Sequence, residues 1–118
     1  MVDVSEKSDS VRTAVAMGKV LLGEEAYRRV QEKDIQKGDV LTTAQVAGIM
    51  GAKQTSQLIP LCHDVQIDGV DVEFTFEDEE KAIEIRAYTK SIGVTGVEME
   101  ALTAVSITAL TIYDMCKS

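Results

Sequence analysis

Two stretches of the chain alternate apolar and polar side chains with a period of two. Val70, Val72, Phe74 and Phe76 are interleaved with Asp71, Glu73 and Thr75, and Ile83, Ile85 and Ala87 with Glu84, Arg86 and Tyr88. Such alternation predicts strands with one face buried and one wet, and the acidic link Glu77–Lys81 makes them an antiparallel hairpin. Residues Val11 to Leu22, rich in Val, Thr, Ala and Leu, read as an earlier strand loosened at Gly18. Glu24 to Glu32 carry a short polar helix pattern. Gly38-Asp39 then break the chain, and Asp39 is a good helix cap for Val40 to Lys53, where Ala44, Ala47, Ile49 and Met50 recur at helical spacing. Leu58 to Cys62 form a short apolar run interrupted by the single proline, Pro60.

The last element predicted is a long helix from near Thr95. Thr95-Gly96-Val97-Glu98 has the form of a capping box, in which Thr95 and Glu98 satisfy each other's backbone N–H groups. Beyond it, Met99, Leu102, Val105, Ile107, Leu110, Ile112 and Met115 spread around most of the helix. A helix apolar on several sides is buried on several sides, and in so small a chain the extra side predicts contact with another subunit. Strand, helix, hairpin, helix describes an α+β ferredoxin-like sandwich, an antiparallel sheet with helices on one face. A full βαββαβ unit needs one more strand after the final helix, and the residues end at Ser118 without it. A single domain over 1–118 is expected.

Composition changes this picture in three ways. Aromatics make up only 4% and Trp is absent, so the core is aliphatic. A chain of 118 residues buries a core with a thin margin, which oligomerisation would widen. A net charge of -8 opposes a nucleic-acid partner, which needs a basic face and stacking aromatics. It leaves room for a phosphorylated small molecule held by a local cluster of Lys and Arg. Cys62 and Cys116 lie far apart and outside any CxxC motif, which reads as reduced thiols of a cytosolic protein rather than a disulfide or zinc site. No stretch approaches the roughly 18 apolar residues of a membrane span, and the polar, acidic start MVDVSEKSDS is unlike a secretory signal.

Several residues are suited to chemistry. His63 is the only histidine, placed where an apolar turn meets a strand; it reads either as a backbone-bonded histidine or as a donor to ligand. Cys62 beside it reads as a small buried hydrophobe. Asp114 and Lys117, three apart on the last helix, share a face: either a surface ion pair or, partly desolvated, a proton-transferring pair. Glu98 and Glu100 point different ways; Glu98 has a capping role, and Glu100 reads by default as solvated. Either carboxylate suits the paired N–H groups of a purine or pterin. Lys7, Arg12, Lys37 and Lys53 are solvated charges one by one, but together form a set that a triphosphate would need.

The blocks Met1–Lys7, Lys37–Val40, Ala44–Ile49, Leu58–His63, Thr95–Ala104 and Ala109–Lys117 resemble, in order and spacing, the MoaC family. That resemblance implies enzymes of molybdenum cofactor biosynthesis. They convert a cyclised dihydro-GTP intermediate to cyclic pyranopterin monophosphate with release of pyrophosphate, after a radical SAM GTP cyclase has made the intermediate. It also implies a cytoplasmic homohexamer, a trimer of dimers with sites at subunit interfaces, and no fixed metal or organic cofactor. By position, Asp114 corresponds to the catalytic acid/base and Lys117 and Lys37 to catalytic lysines. Leu61, Cys62 and His63 correspond to one substrate-binding segment and Glu98 and Met99 to another, with Lys53, Glu100, Lys7 and Arg12 as further pocket residues. Asp64 stands where the family usually has Pro. The family runs on into a strand and a Gly-Gly-Lys-Ser-Gly-type tail, so the working protein is expected to extend past Ser118. A different class of function, a small oligomeric ligand-binding module without catalysis, would account for the charge and the two-sided helix but not for the clustering of Lys37, His63, Glu98, Asp114 and Lys117 in these blocks.

Overall fold

The computed structural model describes residues 2–3 and 9–117. The elements are β1 (Ser10–Leu21), α1 (Glu24–Gln31), α2 (Val40–Lys53), the short α3 (Thr55–Leu58), β2 (Gly69–Glu77), β3 (Ala82–Gly93) and α4 (Glu98–Cys116). The strands form an antiparallel sheet in the order β1-β3-β2. This is the expected α+β, ferredoxin-like arrangement with one strand fewer than the full unit among the described residues. Asp39 caps α2 as anticipated, its carboxylate accepting from the Thr42 backbone N–H at 3.2 Å.

Register puts every core-facing side chain of the sheet on one side. Ala16 and Val72 both lie opposite Ala87, and Gly18 and Phe74 both lie opposite Ile85. Ile83, Ile85 and Ala87 of the central strand are fully buried. β3 continues beyond its apolar alternation to Gly93. Thr89 and Ser91 keep the inward positions, and their hydroxyls donate to the Val97 and Gln66 carbonyls at 3.0 and 2.6 Å. Buried hydroxyls with backbone acceptors extend a strand where hydrophobicity alone falls silent. Phe76, expected on the buried face, sits at its margin with 37% exposure, its ring edge-on to Tyr27 of α1 at 5.6 Å.

Helices α2 and α4 cover the inner face, and glycines set how closely they pack. A Cβ on Gly18 of β1 would lie 2.6 Å from Val105 Cγ1, and one on Gly51 2.8 Å from Ile107 Cγ1. A Cβ on Gly48 would collide with Thr108 Oγ1 and meet the Ala104 carbonyl at 3.1 Å. The start of α4 differs from expectation. No side chain caps it, Val97 is the N-cap, and the Thr95–Glu98 capping box does not form. Val97 is wholly buried and its carbonyl holds Thr89 and the Ala101 N–H, so core packing fixes the first turn two residues later than the local motif suggests.

The opposite face of the sheet is open. Val11, Val15, Met17 and Leu21 of β1 and Ile92 of β3 are exposed there; on α4, which covers the inner face, Leu102, Leu110 and Tyr113 are exposed as well. Exposed apolar side chains gathered on one sheet face are of the kind that interaction surfaces use.

Gly48→Ala tests the α2–α4 contact. In a free helix that change stabilises by about 1 kcal/mol. Here we expect a loss of roughly 1–3 kcal/mol from overpacking, read by urea unfolding, with partial recovery when Thr108→Ala is added. A stabilised single variant would contradict the packing described.

Candidate active site

The sequence-predicted residues gather at two places. At the start of α4 a cavity of about 120 Å³ is lined by Cys62, His63 and Val65 from the loop after α3, and by Thr95, Gly96, Glu98, Met99 and Glu100. The chain after α3 brings the first group in. Its turn is held by the Cys62 thiol, directed at the Ile59 carbonyl at 3.4 Å, and by Ser56 Oγ, which donates to Asp64 Oδ1 at 3.1 Å. His63 Nε2 lies 2.6 Å from the Val2 carbonyl. As the donor in that bond it is the backbone-bonded histidine of one reading, and among the described residues its other ring nitrogen has no hydrogen-bond partner.

Glu100 corrects its expected solvated state: it is only 3% exposed. Burial raises its carboxyl above the ordinary range, and the Glu98 and Asp64 charges raise it further, against the pull of its own backbone N–H. Glu98 is exposed. Leu61 is 75% exposed and is not part of the cavity wall. Arg12 sits close by, its Nε donating to the Gly93 carbonyl at 3.2 Å, which anchors the segment leading into Thr95. Thr95 and Gly96, read as cap residues, prove to be cavity wall. The signal for this was their place within the same block as Glu98.

The second place is the end of α4. Lys117 Nζ lies 3.0 Å from Asp114 Oδ1. Lys37, from the loop before α2, donates to the Asp114 backbone carbonyl at 3.0 Å and approaches Oδ2 at 3.5 Å. Of the two readings left open for Asp114 and Lys117, the geometry within this chain is that of an exposed ion pair: all three side chains are about half exposed. The pKa values of Asp114 and Lys117 move apart rather than together. The Lys117 hydrogen bond, with Lys37 behind it, holds the Asp114 carboxyl below its usual range, and Asp114 raises Lys117. The resting state is therefore a carboxylate between two ammonium groups.

The remaining candidates lie apart. Lys53 lines a separate cavity with Ile49, Ile67, Asp68, Gly69 and Val70, and Lys7 lies outside the described residues. Among the described residues no three His, Cys, Asp or Glu side chains converge as metal ligands would, and no helix is long and apolar enough to cross a membrane.

The MoaC family model matches residues 1–118. The chain belongs to the MoaC family. A relative from Salinibacter ruber is 75% identical over 118 residues, covering all of this chain and 69% of that protein. One from Clostridium acetobutylicum is 58% identical with 73% of its length covered, and one from Bacillus subtilis 55% identical over 120 residues with 71% covered. Each of these MoaC relatives is named cyclic pyranopterin monophosphate synthase.

Glu100 generates a test that needs no substrate. A carboxyl whose folded pKa is raised favours the fold while protonated, and that contribution is lost as pH rises through the raised value. Glu100→Gln keeps the shape and removes the ionisable group. Melting curves should show the variant more stable than the parent near pH 7, with the gap closing toward about pH 4, where the parent's carboxyl is protonated too. A variant less stable at both pH values would mean that the carboxylate is satisfied in ways its surroundings do not suggest.

Proposed function

We propose that this protein is a cyclic pyranopterin monophosphate synthase, acting on a cyclised dihydro-GTP intermediate and releasing pyrophosphate in molybdenum cofactor biosynthesis. The observation that carries the reading is that the whole chain aligns with synthases of that name, with Lys37, Asp114 and Lys117 converging at one end of α4. On this reading Asp114, kept ionised by its two lysines, accepts a proton at the reacting centre. Lys117 and Lys37 donate protons and balance phosphate charge. Glu100 and Glu98 receive the N–H groups of the bicyclic ring system while His63 and Cys62 shape the pocket floor; Arg12 and the Leu61 segment flank that pocket, and Lys53, from its separate cavity, and Lys7 add positive charge for the phosphates.

Asp114 follows Glu100 by fourteen helical steps, roughly 21 Å at about 1.5 Å per residue. One small substrate cannot touch both ends of α4 in a single chain. A second copy whose Asp114 end meets the first copy's Glu100 end removes the difficulty. The exposed apolar side chains of β1 and α4 offer the surface for such contacts. We accordingly propose a homohexamer, a trimer of dimers, built from single-domain chains. It would work in the cytoplasm downstream of a radical SAM GTP cyclase, without a resident metal or organic cofactor.

The deciding experiment is incubation with the cyclised intermediate: pyrophosphate release together with pterin fluorescence after oxidation means synthase, and binding without turnover would leave only a ligand-binding module. Light scattering should give a mass near six times 12.8 kDa, and a monodisperse monomer at micromolar concentration would remove the shared site.

Asp114→Asn and Lys117→Ala should each lower turnover by about a hundredfold or more with assembly intact. Mixing Asp114→Asn chains with Glu100→Gln chains, unfolded and reassembled together, should restore part of the activity, because some interfaces then pair two unaltered halves. No recovery on mixing would place each site inside one chain.

A further inference from the structure

Beside Lys37 is a cavity of about 380 Å³ lined by Arg29, Ile35, Gln36, Lys37 and Met115. That volume lies within the range of small-ligand sites. None of the residues read from sequence as functional accounts for it except Lys37, and Arg29 was read there only as part of a polar helix.

Arg29 is unusual among the cations of this region. Arg28 pairs with Glu32 at 2.7 Å, Lys33 faces the Asp39 charge, and Lys37 and Lys117 share Asp114. Arg29 is half-buried, and its Nε donates to the Asp34 backbone carbonyl at 3.0 Å. The Asp34 N–H returns a bond to the Arg29 carbonyl at 2.8 Å. The guanidinium is thus oriented from one edge, and among the described residues no carboxylate pairs with it. Its charge reaches the end of α4: burial pushes the Cys116 thiol up, and Arg29 pulls it back down.

A guanidinium whose two terminal nitrogens have no protein partner among the described residues, sharing a cleft with an ammonium and backed by Ile35 and Met115, is free to take an anion. A role in holding the α1–α2 loop uses Nε alone and leaves the two terminal nitrogens unexplained. Those nitrogens form the planar fork that suits two oxygens of one phosphate, which a lysine cannot match.

We propose that this cavity is a pyrophosphate site, in which Arg29 grips the phosphate oxygens beside Lys37. The proposal rests on the synthase reading, since pyrophosphate is the group that reaction releases. It places the leaving group on the α1 side of Asp114, with Arg29 as a binding residue rather than a proton carrier.

The test is calorimetric titration of the assembled protein with inorganic pyrophosphate, alongside steady-state kinetics, for the parent, Arg29→Met and Arg29→Lys. Arg29→Met keeps the aliphatic stem. It should weaken pyrophosphate binding by about tenfold and raise KM comparably, while kcat stays within about twofold. Arg29→Lys, which keeps the charge without the fork, should fall between, and it serves alone should Arg29→Met not fold. A loop-holding role would lower the melting temperature without changing pyrophosphate affinity. Unchanged affinity in a variant that still folds and turns over therefore overturns the proposal and leaves the synthase reading standing. Arg29-dependent binding of pyrophosphate by a protein that never turns over the cyclised intermediate would uphold the anion site and remove the synthase reading instead.

Discussion

The seating of α4 is the constraint on which the rest of the structure depends. This helix supplies the wall of one candidate pocket at its first turn and the candidate catalytic carboxylate at its last. It lies close to β1 because Gly18 carries no side chain under Val105, and close to α2 because Gly48 and Gly51 leave room for Thr108 and Ile107. Close-packed interiors tolerate an added methyl poorly, so these contacts fix the axial position of α4 as well as its distance. A small slide of the helix would move Glu100 out from under the His63 loop and Asp114 away from Lys37 together.

The two ends of that helix differ in electrical character. Glu98 and Glu100 occupy its first turn, where the helix dipole favours negative charge, and Lys117 follows its last, where positive charge is favoured. Asp114 runs against the dipole in the final turn, and only the two lysines around it offset that placement. Burying Glu100 and placing Asp114 against the dipole both work against stability, and strained placements of this kind concentrate where function requires them.

The core of the fold was legible because it rests on short-range rules. The alternation at 70–76 and 83–87, the Asp39 cap and the breaks at Gly38 and Pro60 each state their structure within a few residues. What was not legible depends on contacts between distant segments. Thr89 and Ser91 look like strand-ending polar residues until Val97 and Gln66 are seen to accept from them. The Thr95–Glu98 box loses to the burial of Val97, a tertiary effect that no local motif reports. Glu100 reads as a surface acid because nothing in its neighbours announces the loop that covers it. Of the candidate site, the residue types were readable by resemblance, but their division between the two ends of one helix, and the placement of Arg29 beside Lys37, depend on how distant segments pack.

The distance between those two ends has a consequence for how activity scales. If each site takes half its groups from one chain and half from another, a correctly folded solitary chain is inert. Activity then has a reaction order above one in protein at low concentration and becomes proportional only once assembly saturates. The first chains made in a cell would be silent, and output would rise past a threshold set by the affinity of the exposed β1 and α4 surfaces for their counterparts. A substitution on those surfaces, far from any reacting atom, would shift that threshold while leaving the rate of each completed site untouched.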